Sequence, residues 1–462
     1  MSKSSGQIAL ALLLVLCSLV VVGCKGSQTT PTVAVQNTTA LRTPKPTFTP
    51  QPGEPATPAD AGTPTDEGVS AAEATLAPTM TVAAAGPASP DEPTAVPATA
   101  TPSPVKSLRM DSPEYGMQIF PWWRPEVGSR DFQVVAEAGF SWAKVNFGWR
   151  EIEGAGKGVF DWSRTDEIVR MAAENDIDLV IRVDHQPAWA GGGFPVNGPP
   201  DDYAGYYAFL EELLTRYEGK VQAIEVWNEQ NLDREWQTGS GLVPAQYVEF
   251  LSGAYETIKA HNSDIIVISG ALSPTGVHDG ITVYDDFLYM DGLLEAGLLD
   301  YTDCVGAHHN GYNIGPDVAF DQTGSAPDAA TASFRGPFDN PHHSWSFKTT
   351  LDTYAEKVRA IDPEMKLCIT EFGWASSEGY DAPPEGFGFA ADNTLEEQAT
   401  YIVDAYQQMR ESGYVWLTFL FNFDYGNKSG GPSNDNVPYS IIDVNGVPRP
   451  AYGAISAMEK TP

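Results

Sequence analysis

Strand-like apolar runs alternate with helix-like amphipathic runs along residues 108–462, and this alternation limits the folds open to the chain. The predicted strands span residues 116–120, 141–148, 178–184, 221–227, 265–271, 302–308, 366–370 and 415–421. Helical periodicity occurs near residues 130–138, 163–175, 202–217, 244–261, 284–297, 347–361, 394–412 and 450–459. The strands are continuous apolar runs, which are typical of parallel sheets buried on both faces. Eight strands with intervening helices predict an α/β fold, the closed (β/α)8 TIM barrel.

An open doubly wound sheet is the alternative arrangement. Such sheets normally carry a Gly-rich phosphate turn after the first strand, and this chain has Phe120-Pro121-Trp122-Trp123 there instead. The barrel is therefore favoured. Its longest connection covers residues 311–346 and contains Trp345, and loops that follow barrel strands build the active face of this fold.

The first 24 residues have the pattern of an export signal. Lys3 precedes an apolar run that is short for a membrane span, and the segment ends in Val21-Val22-Gly23-Cys24. This ending resembles the lipobox of bacterial lipoproteins. The resemblance implies that Cys24 becomes the lipid-modified first residue of a cell-surface protein. An ordinary secretory signal with a chance cysteine is the alternative.

Residues 25–107 are rich in Thr, Pro and Ala and contain almost no aromatic residues. Such a segment cannot bury enough apolar surface to offset its ordering entropy, so a disordered linker is predicted. Its many prolines would hold it extended, as a tether between a membrane anchor and the domain of residues 108–462.

The chain is strongly acidic, with a formal net charge of −34, and most of this charge lies within residues 108–462. A polyanionic surface argues against nucleic acid or acidic lipid as a partner. It suits a secreted protein that acts on a neutral polymer, although adaptation to salt would leave the same signature. The only expected contact with a membrane is through the lipid anchor.

Two cysteines, Cys304 and Cys368, lie in the globular part of the chain. Counting strand alternation back from His308 and Glu371 puts them on different sides of the sheet, so we expect buried thiols. No CxxC motif or clustered histidine ligand set is present. We therefore expect no metal site and no cofactor.

Two glutamates, Glu229 and Glu371, each close an apolar run that reads as a buried strand, the fourth and the seventh. A carboxylate is costly to bury without a partner or a task. Because the ends of barrel strands meet on one face, we expect the two side chains to share a site. Two facing carboxylates without a metal are the groups that cleave glycosidic bonds. A core salt bridge to Arg182 or Lys144 is the alternative explanation.

Trp227-Asn228-Glu229 on the fourth strand, with Glu371 on the seventh, resembles clan A, the largest clan of retaining glycoside hydrolases, and families 5 and 39 in particular. The similarity covers most of residues 115–455. It implies that Glu229 is the general acid and base, that Glu371 is the nucleophile, and that Asn228 binds the sugar 2-hydroxyl. The resemblance also implies tryptophan at the end of the eighth strand, where this chain has Phe421.

The remaining candidate substrate-binding residues are polar groups inside apolar runs and aromatic residues near strand ends. Histidine and aromatic side chains there could bind sugar or could be satisfied core residues, and Lys144 could instead pair with an interior carboxylate. The candidates are His308, Tyr312, Lys144, Trp149, Trp189, Trp374 and Phe421.

These features predict an extracellular, lipid-anchored retaining β-glycosidase that hydrolyses a β-linked polysaccharide or oligosaccharide. A non-catalytic carbohydrate-binding surface receptor on the same barrel is the alternative. Both would use an aromatic cleft, but only the enzyme requires both Glu229 and Glu371.

Overall fold

The computed structural model describes residues 114–428 and 431–460. The predicted signal (1–24), with its lipidation site Cys24, and the predicted linker (25–107) lie outside the described residues. Within the described ranges, no helix combines the length and the apolar character that a membrane span requires.

Eight parallel strands form one sheet in the order β5-β4-β3-β2-β1-β8-β7-β6. The strands are β1 (Glu114–Gln118), β2 (Trp142–Gly148), β3 (Asp178–Asp184), β4 (Ala223–Val226), β5 (Ile266–Ser269), β6 (Val305–Gly311), β7 (Leu367–Trp374) and β8 (Val415–Leu420). Parallel bridges Ile268–Cys304 and Leu272–Ala307 join β5 to β6. These bridges close the sheet, so the predicted (β/α)8 barrel is confirmed.

Helices cover the outside of the barrel and follow the strands. They are α1 (Pro125–Glu137), α2 (Trp149–Glu153), α3 (Ser163–Glu174), α4 (Tyr203–Arg216), α5 (Pro244–His261), α6 (Asp286–Glu295), α7 (Gly336–Asp339), α8 (Phe347–Arg359), α9 (Leu395–Ser412), α10 (Tyr425–Lys428) and α11 (Pro450–Ala457). The predicted helices match the long ones within a few residues. The short α2, α7 and α10 lie in loops and were not predicted.

Local sequence explains where several helices begin. Proline occupies the first position of α1, α5 and α11, where its missing N–H costs nothing. The α9 helix starts with a capping box in which Thr394 and Glu397 each accept a hydrogen bond from the other's backbone N–H.

The barrel interior is apolar at its N-terminal end and polar above it. Trp142 on β2 and Val180 on β3 belong to the buried apolar cluster that fills the lower interior. Lys144 and Arg182 lie two residues further along the same strands, so they share the inward face. The strands therefore place charged side chains in the C-terminal half of the barrel interior.

Cys304 and Cys368 form a disulfide with a Cα–Cα distance of 5.7 Å, so the expectation of two separate thiols was wrong. The reason is a register shift between β6 and β7. Ala307 pairs with Ile369, but His308 pairs with Glu371, which leaves one extra residue on β7. This bulge reverses the alternation count. Cys368 consequently points into the barrel, where it meets Cys304.

Candidate active site

Glu229 lies just beyond the end of β4, at the C-terminal face of the barrel. The strand ends at Val226, and the backbone then takes left-handed conformations at Trp227 (φ 74°) and Glu229 (φ 39°). Such conformations are strained for residues other than glycine and persist only where surrounding contacts hold them. The Glu229 N–H donates to Ala271 O at 2.9 Å, which ties this turn to the segment after β5.

Trp227 supplies one of those holding contacts. Its ring is fully buried and packs edge-on against Trp236 and Phe250 at centroid distances of 5.3 and 5.6 Å. Its indole N–H donates to Glu235 O at 2.6 Å. Trp227 is therefore a core anchor that fixes the turn, while the Glu229 side chain, two residues on, points into the barrel mouth.

Glu371 lies inside β7 rather than at its end, because the strand runs four residues further than predicted, to Trp374. Its Oε1 atom is 3.4 Å from Lys144 Nζ and 3.4 Å from Arg182 Nη1. These are the two cations that the salt-bridge alternative named. Its other oxygen, Oε2, makes no hydrogen bond or ion pair with any described residue. The carboxylate is held by one oxygen only.

His308, on β6, joins the two glutamates. Its Nδ1 atom is 3.1 Å from Glu229 Oε1, and its Nε2 atom is 3.9 Å from Glu371 Oε1. Burial and the nearby charges of Lys144 and Arg182 lower the pKa of His308 to about 4, against the opposing effect of Glu371. The imidazole is therefore neutral at pH 7. One ring therefore lies between the two carboxylates.

Glu225, on β4, completes the charge network, and sequence reasoning missed it. Its Oε2 atom is 2.9 Å from Lys144 Nζ, and its Oε1 accepts a hydrogen bond from Thr370 Oγ1 at 2.7 Å. Burial alone would raise the pKa of Glu225, but Lys144, His308 and Arg182 outweigh burial and lower it. The signal was present, because Glu225 is also an acid inside an apolar run.

Arg182 is the centre of a second set of contacts. It donates to Asn228 Oδ1 at 2.9 Å from Nη1 and pairs with Asp184 Oδ2 at 2.8 Å from Nε. The other Asp184 oxygen, Oδ1, is 2.9 Å from His185 Nδ1. Burial alone would raise the pKa of Asp184, but Arg182 and His185 lower it to about 2. Asn228 is thus oriented by a fully buried cation beside both glutamates.

An aromatic cluster forms the wall of the mouth on the side of β1, β6, β7 and β8. Two predicted residues belong to it: Tyr312 packs edge-on against Trp345 at 4.6 Å, and Phe421 packs against Tyr439 at 5.8 Å. The ring-bearing members of this cluster are Phe120, Trp123, Tyr312, Phe334, Trp345, Tyr380, Phe387, Phe389, Phe421, Tyr425 and Tyr439. Of these, Trp123, Phe334, Trp345 and Tyr380 are partly exposed.

Two predicted sugar-binding tryptophans are core residues, which corrects their expected role. Trp149 and Trp374 are fully buried: Trp149 stacks on Phe209 behind the barrel wall, and Trp374 donates its indole N–H to Ile314 O. Trp189 is partly exposed, packs edge-on against Trp149 and donates to Glu153 O, so its sugar-binding role stays a prediction. The rings of Trp149 and Trp374 serve the core, a use that sequence alone does not distinguish from sugar stacking.

A cavity of about 490 Å³ opens on the opposite side of the mouth, between the loops after β2, β3 and β4. Arg150, His185 and Arg234 line it, and Arg234 Nη2 is 3.8 Å from Glu229 Oε2. The cavity therefore lies next to Glu229, although neither glutamate is among its lining residues. A larger hollow of about 940 Å³ lies between the loops that contain Gly193 and Gln237, and neither glutamate lines it either.

The comparisons with known proteins concern the fold. No protein-family model and no curated protein matches the chain. A family 39 glycoside hydrolase from the gut symbiont Bacteroides cellulosilyticus WH2 superposes with a TM-score of 0.55 at 21% identity, over 75% of this chain and 63% of that one. A GH39 enzyme from Xanthomonas axonopodis pv. citri gives 0.53 at 18% identity, over 76% and 67%.

A GH5_18 protein from Streptomyces cattleya in complex with Manb1-4GlcNAc also superposes, with a TM-score of 0.53 at 12% identity, over 76% of this chain and 82% of that one. The chain spans less than two thirds of the Bacteroides protein. The expected resemblance to families 39 and 5 is thus confirmed in structure. The chain has the (β/α)8-barrel fold found in glycoside hydrolases of families 39 and 5.

Proposed function

We propose that this protein is a retaining glycoside hydrolase that cleaves β-linked glycans, with Glu229 as general acid and base and Glu371 as nucleophile. The observation that carries the proposal is the position of His308, a neutral ring in contact with one carboxylate and close to the other. Fold likeness to glycoside hydrolases supports the reaction class only by analogy.

One tautomer of His308 fits this division of roles. We assign the single proton of the neutral ring to Nε2, which lies toward two carboxylates, Glu371 at 3.9 Å and Glu225 at 3.8 Å. Nδ1 then carries a lone pair and accepts a hydrogen bond from Glu229. Glu229 must be protonated to donate that bond, and a protonated carboxyl is what a general acid requires.

The surroundings of Glu371 differ from those of Glu229. Lys144 and Arg182 both contact its Oε1 atom, so two cations are placed to balance the charge of a carboxylate nucleophile. Oε2 makes no hydrogen bond or ion pair with the described residues and is the oxygen we assign to the attack. A pair of carboxyl groups with opposite protonation is the arrangement that double displacement uses.

The reaction follows in two balanced steps. Glu371 attacks the anomeric carbon while Glu229 donates its proton to the glycosidic oxygen, which breaks the C–O bond and releases the leaving sugar as an alcohol. Water then attacks the anomeric carbon of the glycosyl ester and gives its proton to Glu229, which frees Glu371. Asn228, oriented by Arg182, is placed to bond the 2-hydroxyl of the sugar in both transition states.

We extend the proposal to where the enzyme works. The sequence of residues 1–24 resembles a lipoprotein signal with Cys24 as the lipidation site, and residues 25–107 would be a tether at the cell surface. The Cys304–Cys368 disulfide supports an oxidising compartment. The acidic surface favours a neutral polysaccharide or oligosaccharide over a polyanion.

Two variants test the roles separately. Glu371→Ala should abolish activity on every substrate, and azide should restore turnover with formation of an α-glycosyl azide, because the anion replaces the missing nucleophile. Glu229→Ala should lose far more activity on substrates with poor leaving groups than on dinitrophenyl glycosides, which need no acid. NMR of the first product from the wild type should show retention at the anomeric carbon.

Glu212→Gln, on the exposed side of α4, is the matched control and should keep wild-type activity. Wild-type rates in both test variants would overturn the assignment. Binding of glycans by the wild type without hydrolysis of any β-glycoside in a broad panel would favour the surface-receptor alternative. An inverted first product would refute double displacement while leaving the glycosidase activity in place.

A further inference from the structure

A cluster of metal-ligating side chains lies where the long loop after β6 meets the start of α6. Asp285, His342 and His343 each offer one ligand atom, and the three atoms lie within 4.8 Å of one another. The two histidines end the loop of residues 312–346, and Asp285 is the N-cap of α6. The chain segments that supply these groups are far apart in sequence.

His343 is held in the way that metal-ligating histidines are usually held. Its Nε2 atom is 2.9 Å from Asp286 Oδ1, and its ring stacks on Phe287 at 3.6 Å. Asp286 is itself fully buried, with Oδ2 bonded by Tyr354 Oη at 2.6 Å and Oδ1 by Thr275 N at 2.8 Å. A carboxylate behind a histidine fixes the ring and makes its other nitrogen a better ligand.

The local charge also favours a cation. The Asp285 and Asp286 carboxylates are adjacent in the chain, at the start of α6. A bound divalent ion would relieve the repulsion between these adjacent acids. Asp285 already uses Oδ1 to accept the Leu288 N–H, which orients its carboxylate at the helix start.

We propose that Asp285, His342 and His343 form a binding site for Zn²⁺ or a similar divalent transition metal. Two imidazoles and one carboxylate are a ligand set that suits such ions, with water in the fourth position, whereas Ca²⁺ and Mg²⁺ prefer oxygen ligands alone. Tetrahedral bonds of about 2.0–2.2 Å put ligand atoms roughly 3.4 Å apart. Side-chain rotations that move the ligand atoms by about 1 Å would bring the three groups to that spacing.

The site would clamp the loop that builds part of the aromatic wall. His343 begins a 3-10 turn, His343–Trp345, and Trp345 packs against Tyr312 in that wall. A metal bridging the turn to Asp285 would fix the loop against α6. The proposal does not rest on the glycosidase assignment, since metal binding and loop order can be measured without any substrate.

The test uses the full chain without a histidine tag, stripped of metal with EDTA. Titration calorimetry with ZnCl₂ should show one ion per chain, Co²⁺ should give the visible absorption of a four-coordinate site, and Zn²⁺ should raise Tm. His342→Ala and Asp285→Asn should each weaken Zn²⁺ binding at least tenfold, and Asp285→Asn keeps an oxygen for the helix cap. His261→Ala, which removes an exposed histidine at the end of α5, should bind like the wild type.

Melting curves without metal check the fold of each variant, and a variant that melts like the metal-free wild type isolates the ligand effect. Asp286→Asn should also weaken binding about 10–100-fold, because it removes the group that orients His343. Wild-type affinity in both His342→Ala and Asp285→Asn, or no binding by the wild type, would overturn the proposal.

Discussion

The Cys304–Cys368 disulfide should contribute strongly to the stability of the barrel, because it joins positions 64 residues apart. Closing a loop of that length in the unfolded chain removes entropy worth about 4 kcal/mol at 25 °C. The bond also lies in the barrel interior, inside the apolar cluster below the charged residues. Replacing either cysteine with alanine breaks the bond, so both single variants should lose nearly the same stability.

The size of the effect on melting follows from the size of the domain. Unfolding entropy of about 2.1 cal/mol/K per residue, over the roughly 345 residues of the barrel, converts 4 kcal/mol into a fall in Tm of about 6 °C. Removing the sulfur atoms from a packed interior adds a further loss. Calorimetry of the wild type, Cys304→Ala, Cys368→Ala and the double variant measures the shift.

The three variants should melt together and well below the oxidised wild type. Wild-type protein unfolded and refolded in reductant is the matched control, and it should melt with the variants. Mass spectrometry of an unreduced digest should recover the two cysteine peptides as one linked species. A double variant that melts within about 1 °C of the wild type, or free thiols at both positions, would refute this reasoning.

Three further predictions concern the charges and the core. Lys144→Met should destabilise the protein by about 3–5 kcal/mol in chemical denaturation, because it leaves the buried carboxylates of Glu225 and Glu371 uncompensated. An unchanged free energy of unfolding would contradict this. Burial and Asp131 raise the pKa of Asp424 to about 7, so the contribution of Asp424 to stability should fall as pH rises from about 4 to 7. Asp424→Asn should therefore show a flatter dependence of Tm on pH over that window than the wild type. Parallel curves for the two proteins would contradict this. Trp149→Ala should cost about 3–5 kcal/mol of stability, because the Trp149 ring packs in the core. The KM for oligosaccharides should be unchanged at low temperature. A raised KM without loss of stability would instead identify Trp149 as a sugar-binding residue.

Fold class was predictable because its signal is local and repeated. Helix α5 has the predicted bounds, and β3 does too, since periodicity, Pro244 and strand-type runs act within a few residues. Glu229 and Glu371 were also identifiable from sequence, because an acid inside or at the end of an apolar run is costly unless it is paired or used. The same reasoning applied to Glu225 would have found the partner of Lys144.

The errors share a different cause. The cysteine pair was misread because one extra residue in β7 reverses side-chain alternation, and that bulge depends on how β7 pairs with β6. Trp149 and Trp374 were misread because a tryptophan suits a core and a sugar-binding surface equally well. The direction in which each ring points depends on packing against helices distant in sequence.

The sequence by itself determined the barrel, the acidic surface and the two strand-borne glutamates, because these follow from composition and from patterns within one element. Only the tertiary structure decided that one imidazole lies between those glutamates, that Lys144 and Arg182 both contact Glu371, and that Asp285 meets the loop histidines. The physical reason is that these contacts join residues many tens of positions apart. Closure of the sheet and the paths of its loops, rather than local preference, set their distances.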